Sequence, residues 1–196
     1  MANREVVLNG QDLTVAQVDA VCRGKAKVRL AESARRGIKA NRDVIERKVK
    51  SGIPIYGVTT GIGEFARIQI SPSQGEELQK RIVYSHAAAT GDPIPEDAVR
   101  AAMLLRINCL SKGYSGVRPV LVETLVQMLN RGVHPVIYEK GSLGTSGDLS
   151  PLSMMAEVVM GEGRADYRGR RMSGALRSCT QPDCANAKPP GFSRRA

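Results

Sequence analysis

Between Gly141 and Leu152 the chain reads Gly-Ser-Leu-Gly-Thr-Ser-Gly-Asp-Leu-Ser-Pro-Leu, and no other stretch limits the fold as tightly. Its first half is glycine-rich and free to adopt backbone geometries closed to other residues. It then runs straight into apolar residues at helical spacing: Leu149, Leu152, Met155, Ala156 and Val159. Asp148 and Ser150 suit an N-cap or first turn, and Pro151 suits a first turn. The pattern predicts a loop that delivers Thr145-Ser146-Gly147 to the positive end of a helix.

Three readings fit that placement. The loop can simply cap a helix. It can hold a phosphate at the helix N-terminus. It can also react with itself. A glycine amide nitrogen, with no side chain beside it, can fold back onto the carbonyl two residues earlier. Here Gly147 would supply the nitrogen, Thr145 the carbonyl and Ser146 a hydroxyl to lose, leaving an exocyclic methylidene. The helix dipole would favour the negative charge that develops as a nucleophile adds to it.

The rest of the chain reads as mainly helical, without internal repeats. Glu5 to Gly10 is a short strand and turn, followed by a helix from Leu13-Thr14 to about Gly24. A second helix is expected from about Val28 to Lys50, with Leu30, Ala34, Ile38, Ile45 and Val49 as its stripe. Ile53 to Ala66 carries Gly57, Gly61 and Gly63 and is expected to be an irregular loop of functional kind. It lacks the signatures of a P-loop and of a dinucleotide fold. Further helices are expected over Gly75–Thr90, from Pro95 to Lys112-Gly113, and over Pro119–Asn130. Val133 to Tyr138 is extended, because Pro135 removes a donor and biases its neighbour away from helix.

Charge and cysteine content narrow the function classes. The formal charge is +10 over 196 residues, but half of that excess falls in residues 161–196 and the rest is spread over helix faces. No aromatic residues interleave with it, which argues against a nucleic-acid partner. No run approaches membrane-spanning length, and Met1 to Glu5 leads into no signal-like apolar segment. Cys22, Cys109, Cys179 and Cys184 lack metal-ligand spacing, so no metal site is expected; Cys22 and Cys109 read as core thiols.

Three segments, in chain order, carry a resemblance. They are Tyr56-Gly57-Val58-Thr59-Thr60-Gly61-Ile62-Gly63, Ser85-His86-Ala87-Ala88, and Gly141 to Leu152. Across roughly residues 5–176 the chain resembles the aromatic amino acid ammonia-lyase and aminomutase family, which includes histidine ammonia-lyase. The third segment is the most specific. The resemblance implies the N-terminal part of that family's helical fold, with a few short strands and glycine-rich active-site loops. It implies a prosthetic group, 4-methylideneimidazol-5-one (MIO), made autocatalytically from Thr145-Ser146-Gly147. The family's usual first residue is Ala; a minority of members carry Thr.

By the same resemblance Tyr56 is the catalytic base, His86 contacts the substrate side chain and Gly63 lets the backbone approach the bound amino acid. Asp148 assists ring formation or orients the loop. The implied reaction is loss of ammonia from His, Tyr or Phe to give an α,β-unsaturated acid; a 2,3-aminomutase would return the amine to the β-carbon with the same residues. Thr59 and Thr145 resemble tyrosine aminomutases, whereas Ser85-His86 resembles histidine enzymes as well. A cytoplasmic homotetramer acting on a small amino acid, without nucleic-acid or membrane partners, is implied. Beyond Leu176 apolar periodicity ends, and 177–196 is expected to be an irregular basic tail. Family members continue past this point, so the chain reads as truncated, and an inactive fragment that only associates with helical partners is the competing expectation.

Overall fold

Residues 5–145 and 147–173 are described by a computed structural model; Ser146 and the tail expected over 177–196, with Cys179 and Cys184, lie outside the described residues. Strand β1 (Glu5–Leu8) pairs in parallel with β2 (Lys27–Leu30), Val6 beside Val28 and Leu8 beside Leu30. Both strands alternate outward and inward, so Val6, Leu8, Val28 and Leu30 enter the core. Helix α1 (Val15–Cys22) makes the crossover. Thr14 starts it with a capping box: its hydroxyl accepts from Gln17 N–H at 3.3 Å while its own N–H donates to Gln17 Oε1 at 2.9 Å.

Helix α2 spans Glu32–Lys50, not Val28–Lys50. Val28 to Leu30 was expected to be helical because its apolar spacing continues the helical stripe. Pairing with β1 overrides that local pattern, since it buries Val28 and Leu30, and the Asn130 side chain satisfies the outer backbone groups of Val28. Helix α3 (Pro72–His86) begins three residues before Gly75, at a proline suited to the first turn. It also ends before Thr90, which opens β3 (Thr90–Pro93). Cys109 is exposed, not a core thiol; Cys22 is buried, and burial pushes its thiol pKa up.

The core gathers on α4 (Glu96–Ser111) and α5 (Pro119–Arg131). Val99, Met103, Leu104, Ile107 and Leu110 of α4 are buried against α1, α2 and α5. Fully burying each large apolar side chain is worth roughly 1.5–3 kcal/mol before chain entropy is counted. Helix α5 opens on Pro119 and closes on Gly132, whose φ of 73° suits a left-handed cap. Strand β4 (Val133–Pro135) then joins β6 (Arg164–Tyr167) and β7 (Arg170–Ser173) in an antiparallel sheet, while β5 (Tyr138–Lys140) pairs with β3. Helix α6 (Leu149–Val159) buries Met154, Met155 and Val158. Among the described residues, no helix is long and apolar enough to cross a membrane.

One buried cation ties these parts together. Arg100, on α4, is 4% exposed. It donates to the carbonyls of Val21 (2.8 Å) and Cys22 (3.2 Å), which end α1, and to that of Leu129 (3.3 Å), near the end of α5. Helix C-termini carry partial negative charge and orphan carbonyls, so a guanidinium answers both. Its fourth contact is His134 Nε2, at 2.9 Å. Arginine only donates, so Nε2 must accept and the ring proton sits on Nδ1, 3.6 Å from Glu96 Oε2. Burial, against the pull of Glu96, lowers the His134 pKa from 6.5; Arg100 and Lys25 push the same way as burial.

Two predictions follow from this packing. His134 binds fewer protons folded than unfolded, so its contribution to stability is complete above the unfolded value of about 6.5 and is lost as pH falls toward the depressed folded value. The urea midpoint should therefore fall between pH 7 and pH 5, and His134→Gln, which keeps an acceptor for Arg100, should flatten that slope. Separately, Gly37 lies inside α2 with open space where a Cβ would stand, whereas a Cβ on Gly113 (φ 74°) would come within 2.9 Å of the Gly37 carbonyl carbon. Gly37→Ala should stabilise by about 1 kcal/mol and Gly113→Ala should destabilise by at least as much, read from denaturant midpoints.

Candidate functional site

The Tyr56 segment is irregular, as its glycines require, but its backbone groups are accounted for by its own side chains. Ile55 N–H donates to Thr59 Oγ1 at 2.8 Å, and Gly57 N–H to Thr60 Oγ1 at 3.2 Å. Ile70 N–H reaches back to the Thr59 carbonyl at 2.8 Å, and Gly61 N–H to Ile68 at 3.0 Å. The segment thus folds into a closed loop around a short 3₁₀ turn, Gly63–Arg67. Within it, Gly63 N–H donates to the Tyr56 phenolic oxygen at 3.1 Å. Two residues expected to act on the same substrate are therefore in direct contact. Tyr56 itself is 65% exposed.

His86 closes α3. Its Nδ1 lies 2.8 Å from the Ile82 carbonyl and 2.9 Å from Ser85 Oγ, which leaves Nε2 as its outward atom. Helix α3 also links the loops. Gln79 Nε2 donates to the Gly57 carbonyl at 2.7 Å, fixing the Tyr56 loop. At the other end, Ser150 Oγ on α6 donates to the Ala88 carbonyl at 2.8 Å, just past His86. Tyr84 Oη donates to Glu162 at 2.6 Å, tying α3 to the turn beyond α6.

In the third segment, Asp148 occupies the N-cap position of α6 but does not cap it in the expected way. Its backbone is left-handed (φ 55°, ψ 55°) and its side chain makes no bond to the first turn. Its carboxylate instead accepts a hydrogen bond from Ser142 Oγ, which in turn accepts from Gly144 N–H at 3.1 Å. Asp148 N–H donates to the Thr145 carbonyl at 3.3 Å, closing a four-residue turn over Thr145 to Asp148. Gly147 has φ 78°, the value required at the third position of a type II turn and hence suited to glycine. Ser150, expected as an N-cap or first-turn residue, lies in the first turn and gives its hydroxyl to the Ala88 carbonyl. Sequence reasoning singled out neither Ser142 nor Gln79. The only available signal was polarity inside a glycine-rich loop and on a helix face.

Two cavities among the described residues do not take in Tyr56, His86 or Thr145. A groove of about 690 Å³ opens where α5 meets β4, lined by His134, Lys25, Arg131 and Asp166. Two of its charges are explained locally: Arg171 pairs with Asp166 at 3.0 Å, and Arg131 sits in the last turn of α5. A smaller one of about 260 Å³ lies behind Ala87 and Ala89 and is bounded by Glu157, whose carboxyl pKa is raised by burial and by Glu162. The loops that carry Tyr56 and Thr145 are exposed instead. Leu143 is 89% exposed there, and Phe65 and Leu149 are exposed with it. Among the described residues no group of His, Cys, Asp and Glu could hold a metal ion.

The chain is mainly helical, with a serine- and glycine-built loop at the head of α6 and a tyrosine loop held by α3. Residues 13–178 match the family model described as aromatic amino acid lyase, and the chain belongs to that family. It is 51% identical over 171 residues to histidine ammonia-lyase of Caldanaerobacter subterraneus, covering 87% of this chain and 34% of that protein. Among solved structures it is similar to tyrosine aminomutase from Streptomyces globisporus (41% identity, TM-score 0.82, covering 88% of this chain and 32% of that one). It is also similar to histidine ammonia-lyase from Trypanosoma cruzi (34% identity, TM-score 0.79, covering 87% and 33%). The chain spans about a third of the length of the curated relatives it matches.

The closest backbone approach in this region tests the loop's seating. A Cβ on Gly141 would fall 2.5 Å from Ala89 Cβ and 2.7 Å from Ser150 Oγ. Gly141→Ala should push the loop off α6 and cost about 1–3 kcal/mol in denaturant unfolding, with faster amide exchange confined to residues near Ala89 and Ser150.

Proposed function

We propose that this chain is the cofactor-bearing N-terminal portion of an MIO-dependent ammonia-lyase acting on an aromatic L-amino acid: His, Tyr or Phe. The observation that carries this reading is the turn over Thr145 to Asp148. It folds the chain back over the triplet, as ring closure requires, and aims a backbone donor at the Thr145 carbonyl oxygen that must leave. Gly147, with its positive φ, leaves its nitrogen unshielded by a side chain. Thr145 and Gly147 therefore fit the group by backbone shape, and Ser146 fits it by residue type. When formed, it supplies an electrophilic carbon that takes up the substrate amine and makes it a better leaving group.

The chain's own side chains do the rest in this reading. Tyr56 takes the β-hydrogen at its phenolic oxygen, the atom that Gly63 N–H contacts. Gly63 lets the substrate backbone come close. His86, with Nδ1 engaged on its own helix, presents Nε2 to the substrate side chain. Asp148 orients the loop through its backbone and carboxylate. The remaining walls and the assembly, a cytoplasmic homotetramer by family resemblance, are proposed to come from the rest of a full-length polypeptide. A 2,3-aminomutase is the second reading, supported by Thr59 and Thr145 and by the likeness to tyrosine aminomutase.

Intact mass tests the first step. Ring formation removes two waters, about 36 Da, and Ser146→Ala should abolish that deficit. Tyr56→Phe should keep the deficit but, in the full-length polypeptide, lower turnover by at least about a hundredfold. Product analysis with His, Tyr and Phe separates the readings: an unsaturated acid supports the lyase, a β-amino acid the aminomutase. An unmodified mass would refute both.

A further inference from the structure

The loop contains one interaction that neither helix capping nor substrate contact explains. Ser142 Oγ donates to the Asp148 carboxylate and accepts from Gly144 N–H at 3.1 Å, so a single hydroxyl spans both sides of the triplet. Asp148 is held with φ 55°, a conformation costly for a residue with a Cβ and tolerated best by Asn and Asp. Gly147 before it also has positive φ, at 78°. Two successive left-handed residues turn Asp148 N–H back onto the Thr145 carbonyl. An exposed aspartate would otherwise be free to rotate toward the first turn of α6, where N-caps ordinarily bond. Ser142 removes that option by occupying its carboxylate.

We infer that Ser142 is a positioning residue for backbone cyclisation: by fixing the Asp148 carboxylate, it keeps the Thr145–Asp148 turn closed while the ring forms. This rests on the ring-forming reading above. The step it serves balances without an oxidant. The Gly147 nitrogen bonds to the Thr145 carbonyl carbon. That carbonyl oxygen departs as water with the amide hydrogens of Gly147 and Ser146, leaving a double bond between the Thr145 carbon and the Ser146 nitrogen. Ser146 then loses its Cα hydrogen and hydroxyl as the second water. Ser142 takes no part in bond making; it limits the conformations from which the first bond can form.

The test follows the rate at which the 36 Da deficit appears in freshly synthesised chain, by time-resolved intact mass. Ser142→Ala should slow it by about tenfold, and Ser142→Thr, which keeps the hydroxyl, should restore it to within about threefold. Because Ser142 acts through the Asp148 carboxylate, Ser142→Ala should add no further slowing in an Asp148→Gly background, which tolerates the same backbone but has no acceptor. Circular dichroism melting of each variant identifies any loss of fold, and the Thr variant then carries the comparison. A wild-type rate in Ser142→Ala, additive slowing in the double variant, or failure of Ser142→Thr to rescue would overturn the assignment. Absence of the deficit in the wild-type chain would instead overturn the ring-forming reading itself.

Discussion

The guanidinium of Arg100 is the interaction on which the architecture depends. It lies where two helices end and a strand begins, and it answers the Val21 and Cys22 carbonyls at the end of α1 while adding a second donor to the Leu129 carbonyl and one to His134. Buried charge is costly unless fully answered, and here the answer comes from carbonyls and an imidazole rather than from a carboxylate. The arrangement fixes the ends of α1 and α5 relative to α4. It thereby fixes where the chain leaves α5, and from there the direction of β4, β5 and the loop that follows.

That chain of dependence separates a rigid part from a working part. The apolar stripes of α4 and α5 and the paired strands make the rigid part. The working part is two loops that rest on it through α3 and α6. Their backbone polarity is satisfied by short local bonds, from Thr59, Thr60 and Ser142, rather than by ladders. Such loops hold shape without burying much surface.

Much of this was legible in the chain itself. Helices α1, α4, α5 and α6 follow from apolar spacing with proline and glycine at the ends, and the glycine-dense segments announce irregular loops. Membership of the aromatic amino acid lyase family was legible for another reason: consecutive residues carry it, not distant contacts. What was not legible depends on partners far along the chain. Val28 to Leu30 reads as helix until β1 is beside it. The β6–β7 hairpin was passed over, although Arg168-Gly169, with φ values of 50° and 74°, is a two-residue turn of the sort that favours glycine. Cys109 was misjudged because a helix with a buried stripe also has an outer face. The Asp148 cap was misjudged because Ser142, six residues earlier, competes for the same carboxylate.

Helix α3 carries a last consequence. It buries none of its described side chains completely, yet it holds the tyrosine loop through Gln79 and meets α6 beyond His86. It therefore ties the tyrosine loop, held from its middle, to α6, met just past its C-terminus. A shift of this one helix would be felt by both loops at once, although they lie far apart in the sequence.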